Sequence, residues 1–166
     1  MDQNQQKLIV AEAALDFIGS GEILGVGTGS TVNFFIDALA KVKGKIDGVV
    51  SSSDASTKRL QAIGLNVLDL NRTGNLSLYV DGADEATKNM HLIKGGGGAL
   101  TREKIVASAS RRFVCIVDES KVYPISDPFL CPWKCYQWHR ASSQESSSRW
   151  AVNPNFALAL RPIMAI

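Results

Sequence analysis

No proline or tryptophan occurs before Lys121 and no glycine after Gly98, so all fourteen glycines precede the five prolines and three tryptophans. The lack of proline leaves helices and sheet ladders unbroken through the first part of the chain, while a glycine-free end has few residues that turn at positive φ without strain. Long apolar runs are also missing: none approaches the roughly 18 residues of a membrane span, and the polar start Met1-Asp2-Gln3-Asn4-Gln5-Gln6 has no signal-peptide pattern. The expected compartment is the cytoplasm, with no membrane partner. Cysteine is scarce and odd in number: Cys115, Cys131 and Cys135 form no disulfide framework and suit a reducing compartment. A net charge of +2 is too small to argue for a nucleic-acid partner. What remains, 166 residues with 45% apolar and 20% charged side chains, is enough to bury one ordinary core.

Two regimes follow from this uneven distribution. Short apolar runs at 23–26, 49–52, 67–70, 76–80 and 113–117 predict strands, and helical patterns at about 5–18, 30–42, 54–63 and 99–110 alternate with them, the third opened by Asp54 as N-cap. Strands alternating with helices imply βαβ units. The expected fold class is therefore α/β, a mostly parallel, Rossmann-like sheet flanked by helices over 1–121. Beyond it, 122–166 has no sustained period and a serine cluster at 142–148, and reads as an irregular, poorly structured tail.

Sites in such sheets lie at the carboxyl ends of strands, where 27–30, 51–54 and 81–84 all fall. Gly25-Val26-Gly27-Thr28-Gly29-Ser30-Thr31 joins a strand to a helix, so its amides and hydroxyls suit a phosphate at the positive helix end, or serve only a tight turn. It is neither G-x-G-x-x-G nor a P-loop, which disfavours a nucleotide. Asp81 and Asp84 crowd negative charge after an apolar strand, a costly arrangement unless the pair is solvated, binds a cation or shares protons. His91 and His139 stand in no metal-ligand spacing with them, and Cys131, Cys135 and His139 lack a fourth ligand, so no metal site is assigned. Lys94 leads into Gly95-Gly96-Gly97-Gly98, a run that brings backbone amides close to an anion, and Glu103 sits early in the next helix, where a carboxylate also complements the helix dipole. Carboxylates and one ammonium around a glycine-rich turn are the raw material for moving protons on an anionic substrate.

Taken together, Gly25–Thr31, Ser51-Ser52-Ser53-Asp54-Ala55-Ser56-Thr57, Tyr79-Val80-Asp81-Gly82-Ala83-Asp84-Glu85, Ile93–Gly97 and Ala99–Ile105 closely resemble ribose-5-phosphate isomerases of the A type. The resemblance implies an aldose-ketose isomerase that interconverts ribose 5-phosphate and ribulose 5-phosphate in the non-oxidative pentose phosphate pathway, with no metal or organic cofactor. It casts Glu103 as the proton acceptor working through an enediolate, with Asp81, Asp84 and Lys94 as catalytic partners. Substrate contacts are implied for Thr28, Gly29, Ser30, Thr31, Asp81, Gly82, Ala83, Asp84, Lys94, Gly95, Gly96, Gly97 and Lys121. The implied partner is a small sugar phosphate, and the family suggests a homo-oligomer.

The motif resemblance ends at Lys121, and family members continue there into a second small α+β domain. Pairing the last base of each codon with the first two of the next shows what lies one base out of frame. Trp133-Lys134 forces a shifted glutamate, Cys135-Tyr136 a leucine and Trp138-His139 an alanine. The remaining codons over 131–139 permit Leu-Pro-Val-Glu-Val-Leu-Pro-Met-Ala, the family's continuation. The tail is expected to be that second domain read out of frame, and loss of the domain puts oligomer formation in question. The alternative for the tail is a genuine but divergent sequence, and the alternative for the function is a catalytically inert or unstable sugar-phosphate-binding remnant that lacks the second domain.

Overall fold

A computed structural model describes residues 1–123. Four parallel strands form the main sheet in the order β2-β1-β3-β6, with β1 at Glu22–Val26, β2 at Ile46–Ser51, β3 at Leu78–Asp81 and β6 at Phe113–Cys115. The helices are α1 (Gln3–Ala13), α2 (Ser30–Leu39), α3 (Asp54–Ala62), the short α4 (Leu70–Thr73) and α5 (Leu100–Ser108). A smaller sheet, β5-β4-β7, joins Glu85–Thr87 (β4), Leu92–Ile93 (β5) and Val122–Tyr123 (β7). The expected α/β class with a mostly parallel, helix-flanked sheet is what the structure shows. The tail reading for 124–166, including Cys131, Cys135 and His139, lies outside the described residues.

Strand alternation distributes the core over both faces of the main sheet. Leu24, Val26, Leu78 and Val80 pack with Val10, Ala11 and Ala14 of α1 and its following turn, and with Val32, Phe35, Ile36 and Leu39 of α2. Tyr79 and Phe113 face the other way, onto Val106 and Ala107 of α5. Each strand is buried on both faces, which is why the runs read as continuously apolar.

Two local expectations need correction. The run at 67–70 is not a strand: Val67 makes only an isolated parallel bridge to Val49, and Asp69 then accepts from the Asn71 amide at 2.8 Å to start α4. A short side chain that bonds its own backbone outcompetes an edge ladder. The N-cap of α3 is Ser53, whose hydroxyl accepts from the Ser56 amide at 3.1 Å; Asp54 is already the first helical residue. At the other end of the chain, Asp2 and Gln5 form a capping box that starts α1.

Candidate active site

The carboxyl ends of β1, β2 and β3 meet at Gly27, Ser52 and Asp81: the Gly27 amide donates to the Val80 carbonyl, and the Ser52 amide to that of Val26. Asp81 is wholly buried at the end of β3 and each of its oxygens has two donors. Oδ1 accepts from the amides of Thr28 at 3.1 Å and Gly82 at 2.7 Å. Oδ2 accepts from the Tyr79 hydroxyl at 2.5 Å and from Lys94 Nζ at 2.9 Å. Charge-assisted bonds of this kind hold a carboxylate firmly. Gly27 is required for the approach, because a Cβ there would overlap the Asp81 carboxylate.

Lys94 joins the two acids. Its ammonium donates to the Gly82 carbonyl at 2.5 Å and stands 3.3 Å from Glu103 Oε2, within ion-pair range but outside hydrogen-bond geometry. Glu103 projects from the first turn of α5 and is only 5% exposed. Burial, reinforced by the neighbouring Asp81 charge, lifts its carboxyl above the usual range despite the opposing pull of Lys94. For Lys94, burial alone would favour the neutral amine, yet Asp81 and Glu103 outweigh it and raise the ammonium above an ordinary lysine. The result is a fixed cation beside a carboxylate of increased basicity.

The glycine-rich turn lies beside this pair. Gly95 has φ 116° and Gly98 φ 75°, conformations open mainly to glycine. The Gly96 amide donates to Asp84 Oδ2 at 2.7 Å, and Asp84 in turn donates its own amide to the Ile93 carbonyl. Gly82, Ala83 and Asp84 are half-buried, while Gly96 and Gly97 are exposed at the rim.

A second polar group forms at the start of α2. Gly29, at φ 121°, sits in the N-cap position and supplies no side-chain cap, so the first amides of the helix are left for another acceptor. Thr28 Oγ1 accepts from Ser53 Oγ at 3.0 Å. Lys7 Nζ, nearly buried, donates to Ser30 Oγ at 3.1 Å; Thr31 is half-buried beside it on the first turn of α2. The sequence reading missed Lys7. Its signal was a lysine on the buried 7-10-11-14 stripe of α1 and its following turn, where an apolar residue belongs.

Of the expected site residues, Thr28, Asp81, Gly82, Lys94 and Glu103 converge directly, Asp84 joins through Gly96, and Gly29, Ser30 and Thr31 form the neighbouring helix terminus. Lys121 ends a 3-10 turn at 119–121, and its side chain makes no hydrogen bond or ion pair with the others among the described residues. That turn is capped by buried Asp118, which also accepts from Gln3 of α1 at 3.4 Å. Among the described residues, no three His, Cys, Asp or Glu side chains gather as metal ligands, and no helix is long and apolar enough to cross a membrane.

Comparison with known proteins adds to this geometry. The family model for ribose 5-phosphate isomerase A (phosphoriboisomerase A) matches residues 48–141, past the point at Lys121 where the motif resemblance ends. A ribose-5-phosphate isomerase A of Stenotrophomonas maltophilia is 57% identical over 129 residues, covering 78% of this chain and 60% of that protein. Ribose 5-phosphate isomerase A from Neisseria gonorrhoeae superposes with a TM-score of 0.71 at 51% identity, over 74% of this chain and 55% of the other. A D-ribose-5-phosphate isomerase in complex with phospho-erythronic acid gives 0.70 at 35% identity, over 75% and 56%. The chain thus spans 60% of the length of the curated relative it matches. With more than half of its residues under the family model and 57% identity to a curated member over 78% of its length, the chain belongs to the ribose 5-phosphate isomerase A family.

Proposed function

We propose that this chain carries the catalytic site of an aldose-ketose isomerase acting on ribose 5-phosphate and ribulose 5-phosphate, in the cytoplasm and without a cofactor. The observation that carries the reading is Glu103: a buried carboxylate of raised basicity, 3.3 Å from an ammonium that Asp81 holds in place. Isomerisation needs a base that takes a proton from the carbon beside a carbonyl and returns it to the neighbouring carbon, and a raised carboxyl suits that double task. As the proton leaves, negative charge builds on the substrate oxygens. Lys94 is the fixed positive charge for that enediolate, already oriented before substrate arrives.

Asp81 and Asp84 accept from the sugar hydroxyls and assist ring opening, with the Gly95–Gly97 amides and Ala83 along the same rim. The phosphate is assigned to the start of α2, where Gly29, Ser30 and Thr31 offer amides and hydroxyls and Lys7 brings charge to Ser30. Lys121 is a further candidate contact. The relative solved with phospho-erythronic acid supports a substrate that carries both a phosphate and a polyhydroxy acid-like end. A homo-oligomer is proposed from the family, with the reservation that this chain spans only part of its relatives' length.

The test is formation of ribulose 5-phosphate from ribose 5-phosphate by the full chain and by Glu103→Gln. Turnover by the wild type and a loss of about a hundredfold or more in the variant are expected, the range of a missing general base. Equal rates in both would refute the assigned base. Binding of phospho-erythronic acid without any turnover would instead favour the non-catalytic remnant.

A further inference from the structure

Asp81 is held from behind by a side chain outside the assigned catalytic set. Tyr79 lies two positions before it on β3, so both leave the same face of the sheet. Tyr79 is wholly buried, and its hydroxyl bonds to the same Asp81 oxygen that Lys94 contacts. The ring is seated by Phe113, with centroids 5.5 Å apart, and by the bare backbone of Gly25, where a Cβ would fall 2.8 Å from Tyr79 Cδ2. Packing therefore fixes the phenol without help from its oxygen.

Burial, then Asp81, pushes the Tyr79 hydroxyl above its ordinary pKa, so the phenol keeps its proton. The donor pattern follows from chemistry: a carboxylate only accepts, so the phenol donates to Asp81. Ser52, just past the end of β2, is also wholly buried, and its hydroxyl has no hydrogen-bond partner among the described residues.

We infer that Tyr79 is a positioning residue of the site, a buried hydroxyl that fixes how Asp81 presents itself to Lys94. This rests on the isomerase reading above. With Oδ1 occupied by the Thr28 and Gly82 amides, loss of the phenol leaves Oδ2 to Lys94 alone and lets the carboxylate turn. Lys94 follows Asp81, and its distance from Glu103 is no longer set. Tyr79 thereby controls the ammonium-carboxylate pair through Asp81, with no hydrogen bond to either member of it among the described residues.

The experiment compares the full chain with Tyr79→Phe and with Ser52→Ala, which removes another buried hydroxyl, reading kcat and KM for the sugar phosphate together with thermal melting. Tyr79→Phe is expected to lower kcat about tenfold, the worth of one hydrogen bond to a charged group, while KM stays within about twofold. Ser52→Ala is expected to leave kcat within about twofold, because its hydroxyl bonds no member of the site. A hydroxyl that merely completes the core would lower the melting temperature and leave kcat unchanged, and that result overturns the positioning role. Should Tyr79→Phe not fold, Phe113→Leu decides the matter, because it keeps the phenol and removes the ring that seats it: unchanged kcat refutes the inference. A wild type without turnover overturns the isomerase reading and this role together, whereas an active wild type beside an equally active Tyr79→Phe overturns this role alone.

Discussion

Glu103 is placed where its charge costs the fold and serves the chemistry. Its carboxyl is raised by burial and by Asp81, so the folded state favours the protonated form. A group raised in this way contributes stability that is fully present below its unfolded pKa and lost as pH rises through the folded one. Glu103→Gln keeps the shape and discards the charge. It is therefore expected to melt higher than the wild type at neutral pH, with the difference vanishing as pH falls to about 4, where an ordinary glutamate is protonated. A melting series over pH checks this, and a variant less stable at neutral pH would contradict the assigned direction. At this scale the sequence was informative about chemistry: Asp81, Asp84, Lys94 and Glu103 all stand in the site. It was silent about Tyr79 as a member of the same network, because a tyrosine within an apolar run has no distinguishing pattern until the sheet sets its face.

Elements deliver these residues through their ends. The start of α3 is tied to the loop after β1 by Ser53, which caps the helix at the Ser56 amide and also donates to Thr28 Oγ1 at 3.0 Å. Ser53→Ala is expected to cost about 1 kcal/mol, the usual worth of an N-cap, measurable by denaturant unfolding. The same change loosens Thr28, whose amide holds Asp81, so substrate affinity should weaken as well; a variant with unaltered stability would show the cap to be dispensable. The main strands and helices were legible because β1, β3 and β6 are apolar apart from Glu22 and Asp81 at their ends and the long helices carry a buried stripe. The small sheet was not. β4 and β5 are three and two residues long and include Glu85 and Thr87, too short and too polar for any period to appear. The run at 67–70 failed for a different reason, since Asp69 finds a closer hydrogen bond in its own backbone.

For the whole molecule, the open question is length. The chain spans 60% of the curated relative, and the codon pairing over 131–139 makes an out-of-frame second domain the proposed origin of the tail. The expected outcome is an intact mass from the native source above the 17.9 kDa of this chain, and a gene in which a single base change near codon 121 opens the longer frame. A native mass of 17.9 kDa with no such frame would establish the tail as genuine.

The sequence by itself determined the class of fold, the family and the inventory of the site, because apolar periodicity and glycine spacing are local properties that survive without coordinates. Only the tertiary structure decided how that inventory is wired. Asp81, Lys94 and Glu103 sit on three separate segments, the end of β3, the loop after β5 and the first turn of α5, and the distances and burial that make one a clamp, one a fixed charge and one a strengthened base arise from packing α5 against the sheet. The runs at 81–85 and 94–104 hold the groups that meet in the site, and the sheet beneath them, through Tyr79 and Gly25, sets how those groups face one another.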